Sequence, residues 1–74
     1  MSNAATRARV ARNFVQSYGS EAFQKLLTLL ASGESGQTIA AELGVSRERV
    51  RQWKNTFGQV VTVYQVHPDV QRVL

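Results

Sequence analysis

The sequence predicts a mainly α-helical domain: three to four helices, then an extended or strand segment, then a short final helix. Three observations carry this. Apolar residues recur at three- and four-residue spacing from Val10 to Phe57, the period of helices buried on one side. Serine and glycine punctuate those stretches at Ser20, Gly33, Ser35, Gly44 and Ser46. Helices want a side-chain acceptor at the start and a left-handed residue at the end. After Gly58 the character changes to Val60-Val61-Thr62-Val63-Tyr64-Gln65-Val66, rich in the β-branched and aromatic residues that favour a strand.

Residues 1–5 read as a disordered N-terminus, and Ser2-Asn3-Ala4 also matches a common expression-tag remnant. Thr6 is the expected cap of a first helix reaching about Tyr18, with Val10, Phe14 and Tyr18 at i, i+4 and i+8. Gly19 ends it. Arg7, Arg9 and Arg12 lie off that apolar stripe, where a solvated face and phosphate contact are both open readings. Ser20 is expected to cap a second helix, from Glu21 to Ala31, whose Phe23, Leu26, Leu27 and Leu30 form a broad apolar face before Gly33 stops it. No other stretch is as suited to cover the two helices that follow.

Residues 35–57 organise the rest. Ser35 caps a short helix in which Ile39, Ala40 and Leu43 share a face. Gly44 sits where that helix ends, Val45 is an apolar plug, and Ser46 restarts the chain as a helix. Val50, Trp53 and Phe57 then recur at i, i+3 and i+7, one buried stripe. Trp53 reads as a core residue whose indole N–H needs a partner or water when buried.

Gly58 breaks this helix and closes a domain expected over residues 6–58. A lone strand at Val60–Val66 would leave a row of backbone donors and acceptors without ladder partners. It is therefore expected to pair with the same segment of a second molecule, making residues 59–74 an oligomerisation segment and the protein a homodimer. His67-Pro68-Asp69 begins a short last helix, with Pro68 at its first position and Val70, Val73 and Leu74 on its apolar side. Apolar residues run to the last position, so the chain is expected to be a domain of a longer protein, a naturally short protein being the alternative.

The 74 residues include no cysteine and a single histidine, His67. Disulfides and a cysteine-based zinc site are excluded, and His67 has no histidine or cysteine companion for a transition metal. No phosphate-binding glycine loop, no paired carboxylates and no nucleophile beside a base are present, so no catalysis, cofactor or small-molecule ligand is expected. No apolar run approaches the roughly 20 residues of a membrane span, and a cytoplasmic location is the default. Net charge is +4, and seven of the nine basic residues fall in residues 1–20 and 46–57. A clustered basic patch is the electrostatic footprint of a nucleic-acid binder.

Opposite Val50–Trp53–Phe57, at about 100° per residue, lie Glu48, Arg51, Gln52 and Asn55, flanked by Arg47 and Lys54 on one side and Arg49 on the other. Each can hydrogen-bond a base edge or a phosphate. Together with Ala40, Gly44, Val45, Val50 and Trp53 at the spacing such motifs use, the segment resembles the helix-turn-helix of DNA-binding proteins. Within that class, Ser46–Gln52 resembles the sigma-factor domain that reads the upstream promoter element. Trp53 departs from it, since a smaller aliphatic residue is usual there, and no basic helix follows. The ending Val50-x-x-Trp53-Lys54 is closer to phage regulators and transposase DNA-binding domains.

The resemblance implies sequence-specific binding of double-stranded DNA through a recognition helix at residues 46–57, in a transcription regulator or its DNA-binding domain. Ser46, Arg47, Glu48, Arg51, Gln52 and Asn55 would contact bases, and Gln37, Thr38, Arg49 and Lys54 would contact phosphates. The rival class is a non-catalytic protein–protein assembly module using the basic face for an acidic partner and the C-terminal strand for association. Salt-dependent binding to duplex DNA separates the two.

Overall fold

A computed structural model describes residues 3–60 and 62–73. Among them the chain is mainly helical, with five helices and one two-stranded antiparallel sheet. The first helix, α1, is Ala4–Tyr18, and its cap is Asn3, whose side chain accepts from the Thr6 N–H at 2.9 Å. Thr6 is therefore inside the helix, not its cap. Ala4 and Ala5 are helical where residues 1–5 were expected to be disordered, and Met1 and Ser2 lie outside the described residues. The expected serine cap is also displaced in the second helix, α2, Ser20–Ala31, where the cap position is Gly19 and no side chain caps.

The third helix, α3, Gly36–Leu43, and the fourth, α4, Arg47–Phe57, form as the sequence implies. Ser35 accepts from the Thr38 N–H and Ser46 from the Arg49 N–H, both at 3.1 Å. Each satisfies one of the four donors a helix start leaves open. Gly44 ends α3 at φ 69°, the left-handed region where any Cβ is strained.

Phe14, Phe23, Trp53 and Phe57 tie α1, α2 and α4 together. Phe14 lies 4.7 Å from Trp53 and 5.5 Å from Phe23 between ring centres, and Phe23 lies 5.5 Å from Phe57. Edge-on and tilted pairs at these distances add to the burial of the rings themselves. Leu26, Leu30, Ile39 and Val50 join this core, each at most 2% exposed.

The C-terminal segment differs from the expected unbroken strand. It is a hairpin: β1, Gly58–Val60, pairs antiparallel with β2, Tyr64–Val66, placing Gly58 opposite Val66 and Val60 opposite Tyr64. Val61 lies outside the described residues. The ladder partners assigned to a second molecule are supplied within the chain, which removes the reason for expecting a strand-paired homodimer. Gly58 makes the close return workable. A Cβ there would come within 2.6 Å of the Tyr64 ring and closer still to the Gln65 carbonyl oxygen.

A last helix, α5, Pro68–Gln71, starts at Pro68 as the sequence implies. Val70 is buried and Val73 partly so, while Leu74 is outside the described residues. Tyr64 and Val70 belong to the same core as Phe23 and Phe57, so the segment after Gly58 packs on the helices before it. Arg7 reaches from α1 to α5, donating to both carboxylate oxygens of Asp69 at 3.0 and 3.2 Å. That contact gives Arg7 a part that neither a solvated face nor phosphate contact describes, a tie between α1 and α5.

Candidate nucleic-acid interface

The packing of α4 decides what it presents. Val50, Trp53 and Phe57 are buried, while Arg47, Glu48, Arg49, Arg51, Gln52, Lys54 and Asn55 are all exposed. Ser46, Gln37 and Thr38 are exposed too. One face of the helix is therefore anchored by three large apolar side chains and the other is given wholly to charged and amide groups.

The flank of α4 that carries Arg47 and Lys54 faces the start of α3. Ser35, Gly36 and Gln37 line one wall of a groove there, and Arg47, Glu48, Val50, Arg51 and Lys54 line the other, so three basic side chains stand against one acid. Gln37 thus joins the basic residues of α4 at one place. Thr38 lies outside the groove, and its hydroxyl oxygen accepts from the Ser35 hydroxyl at 2.9 Å. Ser35 and Gly36 were not singled out in the sequence as interface residues. The available signal was that Arg47 and Lys54, seven residues apart, share the flank of α4 that turns towards the cap of α3.

Arg51 is not free on this face. It donates to both carboxylate oxygens of Glu48, through Nε at 3.1 Å and through a terminal nitrogen. Both side chains are more than half exposed, 64% for Arg51 and 59% for Glu48. The hydrogen bonds from Arg51 hold the Glu48 carboxyl below its ordinary range, and Glu48 in turn raises Arg51. Both therefore keep their charge across the physiological range. An exposed i, i+3 pair of this kind contributes little to stability, so its effect is to orient the Arg51 fork.

On the opposite flank Arg49 stands over Trp53, its guanidinium carbon 6.0 Å from the ring centre, within reach of a cation–π attraction. Gln52 and Asn55 occupy the outermost face between the two flanks. Of the ten sequence-derived site residues, Gln37, Arg47, Glu48, Arg51 and Lys54 line the groove shared with α3. Gln52 and Asn55 face outward and Arg49 is on the far flank, while Thr38 and the cap residue Ser46 lie outside these three groups.

Among the described residues no group of three His, Cys, Asp or Glu side chains gathers as a metal site, and no described helix is long and apolar enough to cross a membrane. Residues 24–59 match the family model of a homeodomain-like domain, a span that takes in most of α2, all of α3 and α4, and the start of β1. Comparison with curated proteins gave no match, nor did comparison with solved structures. Homeodomain-like units are typically non-catalytic modules that bind DNA. The cap–helix–glycine–cap–helix arrangement and the matched family agree: the chain carries a helix-turn-helix DNA-binding domain, similar over residues 24–59 to homeodomain-like domains.

Proposed function

We propose that this protein binds double-stranded DNA in a sequence-dependent manner, with α4 seated in the major groove, as a transcription regulator or its DNA-binding domain. The observation that carries the reading is the division of α4 into a wholly buried apolar stripe and a wholly exposed face of Arg, Gln, Asn and Glu. A major groove admits one α-helix and offers base edges to that set of side chains. Arg47 and Arg51 suit guanine O6 and N7, Gln52 and Asn55 suit adenine N6 and N7, and Glu48 suits a cytosine amine. Ser46, whose hydroxyl oxygen caps the helix by accepting from the Arg49 N–H, would donate its hydroxyl proton to a base.

Phosphates flank the groove. Gln37 and the first backbone N–H groups of α3 lie beside Lys54 and Arg47, and a helix start with basic neighbours favours an anion. Thr38 follows on the same turn, and Arg49 serves the other side.

Selection of bound fragments from a random duplex library tests this directly. An enriched motif is expected, with affinity for it falling as salt rises by about 0.9 log units per contacted phosphate for each tenfold increase. No enrichment, together with affinity that is flat in salt, would overturn the reading. Capture of acidic proteins by the same face, with no duplex binding, would transfer the chain to the assembly-module class.

A further inference from the structure

We infer that the groove between α1 and α4 is a second seat for DNA backbone, taking phosphates on the opposite side of the major groove from those received beside α3. The inference rests on the major-groove placement of α4 proposed above. A helix lying in a groove about 12 Å wide has a phosphate strand on each side of it. Donors on one flank alone would hold it to one strand only.

The second flank is furnished. Asn13, Ser17 and Tyr18 of α1 form a groove with Arg49 of α4, floored by Phe14 and Trp53. Asn13 and Ser17 are exposed and one helical turn apart, and exposed Arg9 lies one turn earlier along the same side of α1. Tyr18 is 42% exposed even though its ring packs edge-on against Trp53 at 5.8 Å. The ring is thereby held in place at the rim. Arg, Asn, Ser and Tyr side chains are the types that bind phosphate oxygens.

Charge favours an anion here. Residues 1–20 contain no acid. Among the described residues, the acids in ion pairs are Asp69, Glu42 and Glu48, and they engage Arg7, Lys25 and Arg51. None of these pairs draws on Arg9 or Arg49. The α1 surface also lies outside residues 24–59, the part matched as homeodomain-like. It is an addition that this chain makes to that unit.

The test compares Arg9→Ala, Ser17→Asp and Thr28→Asp with the parent, on the duplex the parent selects and on a random duplex, across a range of salt. All three positions are exposed. Arg9→Ala should weaken binding equally on both duplexes and lower the slope of log affinity against log salt by about 0.9, one phosphate contact. Ser17→Asp should weaken both at least tenfold. Thr28→Asp makes the same charge change in the groove that α2 shares with Val66 and Gln71. It should have little effect at physiological salt, where charges are screened beyond about 8 Å. If Arg9→Ala binds as the parent does, or Ser17→Asp behaves like Thr28→Asp, while Arg51→Ala still relaxes base preference, the α1 seat is overturned and the α4 reading stands. A parent that binds no duplex at all overturns both.

Discussion

The Tyr64 hydroxyl donates to the carbonyl oxygen of Lys54 at 2.6 Å, so the second strand of the hairpin closes the last turn of the helix proposed to read DNA. The final carbonyls of a helix have no partner within it. Here Tyr64 takes one of them, and the His67 N–H donates to the Phe57 carbonyl at 2.8 Å. The segment that the sequence marked for pairing with another molecule instead caps α4 and fixes the backbone from which Lys54 and Asn55 project.

Tyr64→Phe keeps the ring and removes the hydroxyl. Loss of that hydrogen bond should lower stability by about 1 kcal/mol, read by chemical denaturation, with faster amide exchange in the last turn of α4. Burial also pushes the Tyr64 phenol above its ordinary value. The raised folded value makes the neutral phenol part of the native state. Its contribution is complete below the unfolded value, about 10, and is lost as pH rises past it. The parent should therefore lose more stability than Tyr64→Phe above pH ~10. Parallel curves for the two proteins would show that the buried phenol is not coupled to folding.

Arg7 and Asp69 close the other end of the tail. The hydrogen bonds from Arg7 hold the Asp69 carboxyl below its ordinary range. A depressed folded value gives stability that is present above the unfolded carboxylate value, about 3.9, and lost as pH falls through the folded one. Asp69→Asn should flatten the acid limb of the stability profile relative to the parent and quicken amide exchange in α5. An unchanged acid limb would show that this pair is not what docks α5 on α1.

Local features of the fold were legible in the sequence because their causes are local. Ser35, Gly44 and Ser46 act through atoms within four residues of themselves, and Val50, Trp53 and Phe57 declare their face by spacing alone. The cap of α1 was misplaced because Asn3 and Thr6 are both competent caps, three residues apart, and the choice turns on where the helix begins to pack. The hairpin was hidden for a different reason. Its return depends on Gly58, extended at φ −167°, leaving room for the Tyr64 ring. Extended backbone suits any residue, so nothing about Gly58 alone announces a close approach. The Arg7–Asp69 pair spans 62 positions, beyond the reach of any periodicity. Of the site, the face of α4 was legible, whereas the grooves on its two flanks required the placement of α3 and α1.

Separating anchor from reader on α4 gives a further prediction. Trp53→Ala and Phe57→Ala remove side chains that are 8% and 0% exposed and should each cost about 3–5 kcal/mol. Arg51→Ala and Gln52→Ala alter exposed positions and should leave the melting temperature nearly unchanged. Each should instead relax base preference by about 1–3 kcal/mol per bidentate contact. Unfolding of the Arg51 or Gln52 variants would mean that α4 is rotated from the orientation described.

The Glu48–Arg51 pair makes the last prediction. Glu48 holds the Arg51 fork by two hydrogen bonds on an exposed surface, and it is the only acid in residues 46–57. Its removal has two opposite consequences for DNA binding. Affinity for random duplex should rise, because a negative charge is removed from the DNA-facing side of α4 and Arg51 keeps its charge. Preference for the selected site should fall, because Arg51 loses the partner that orients it and Glu48 no longer accepts from a cytosine amine. Glu48→Ala is therefore expected to bind random duplex more tightly than the parent while the ratio of selected to random affinity drops by a factor on the order of 10, one bidentate contact. The salt slope should be steeper or unchanged, never shallower, since no phosphate contact is lost. A Glu48→Ala protein whose affinity and selectivity both match the parent would show that this pair lies away from the DNA, and the outward row would then have to be moved round α4 towards Arg49.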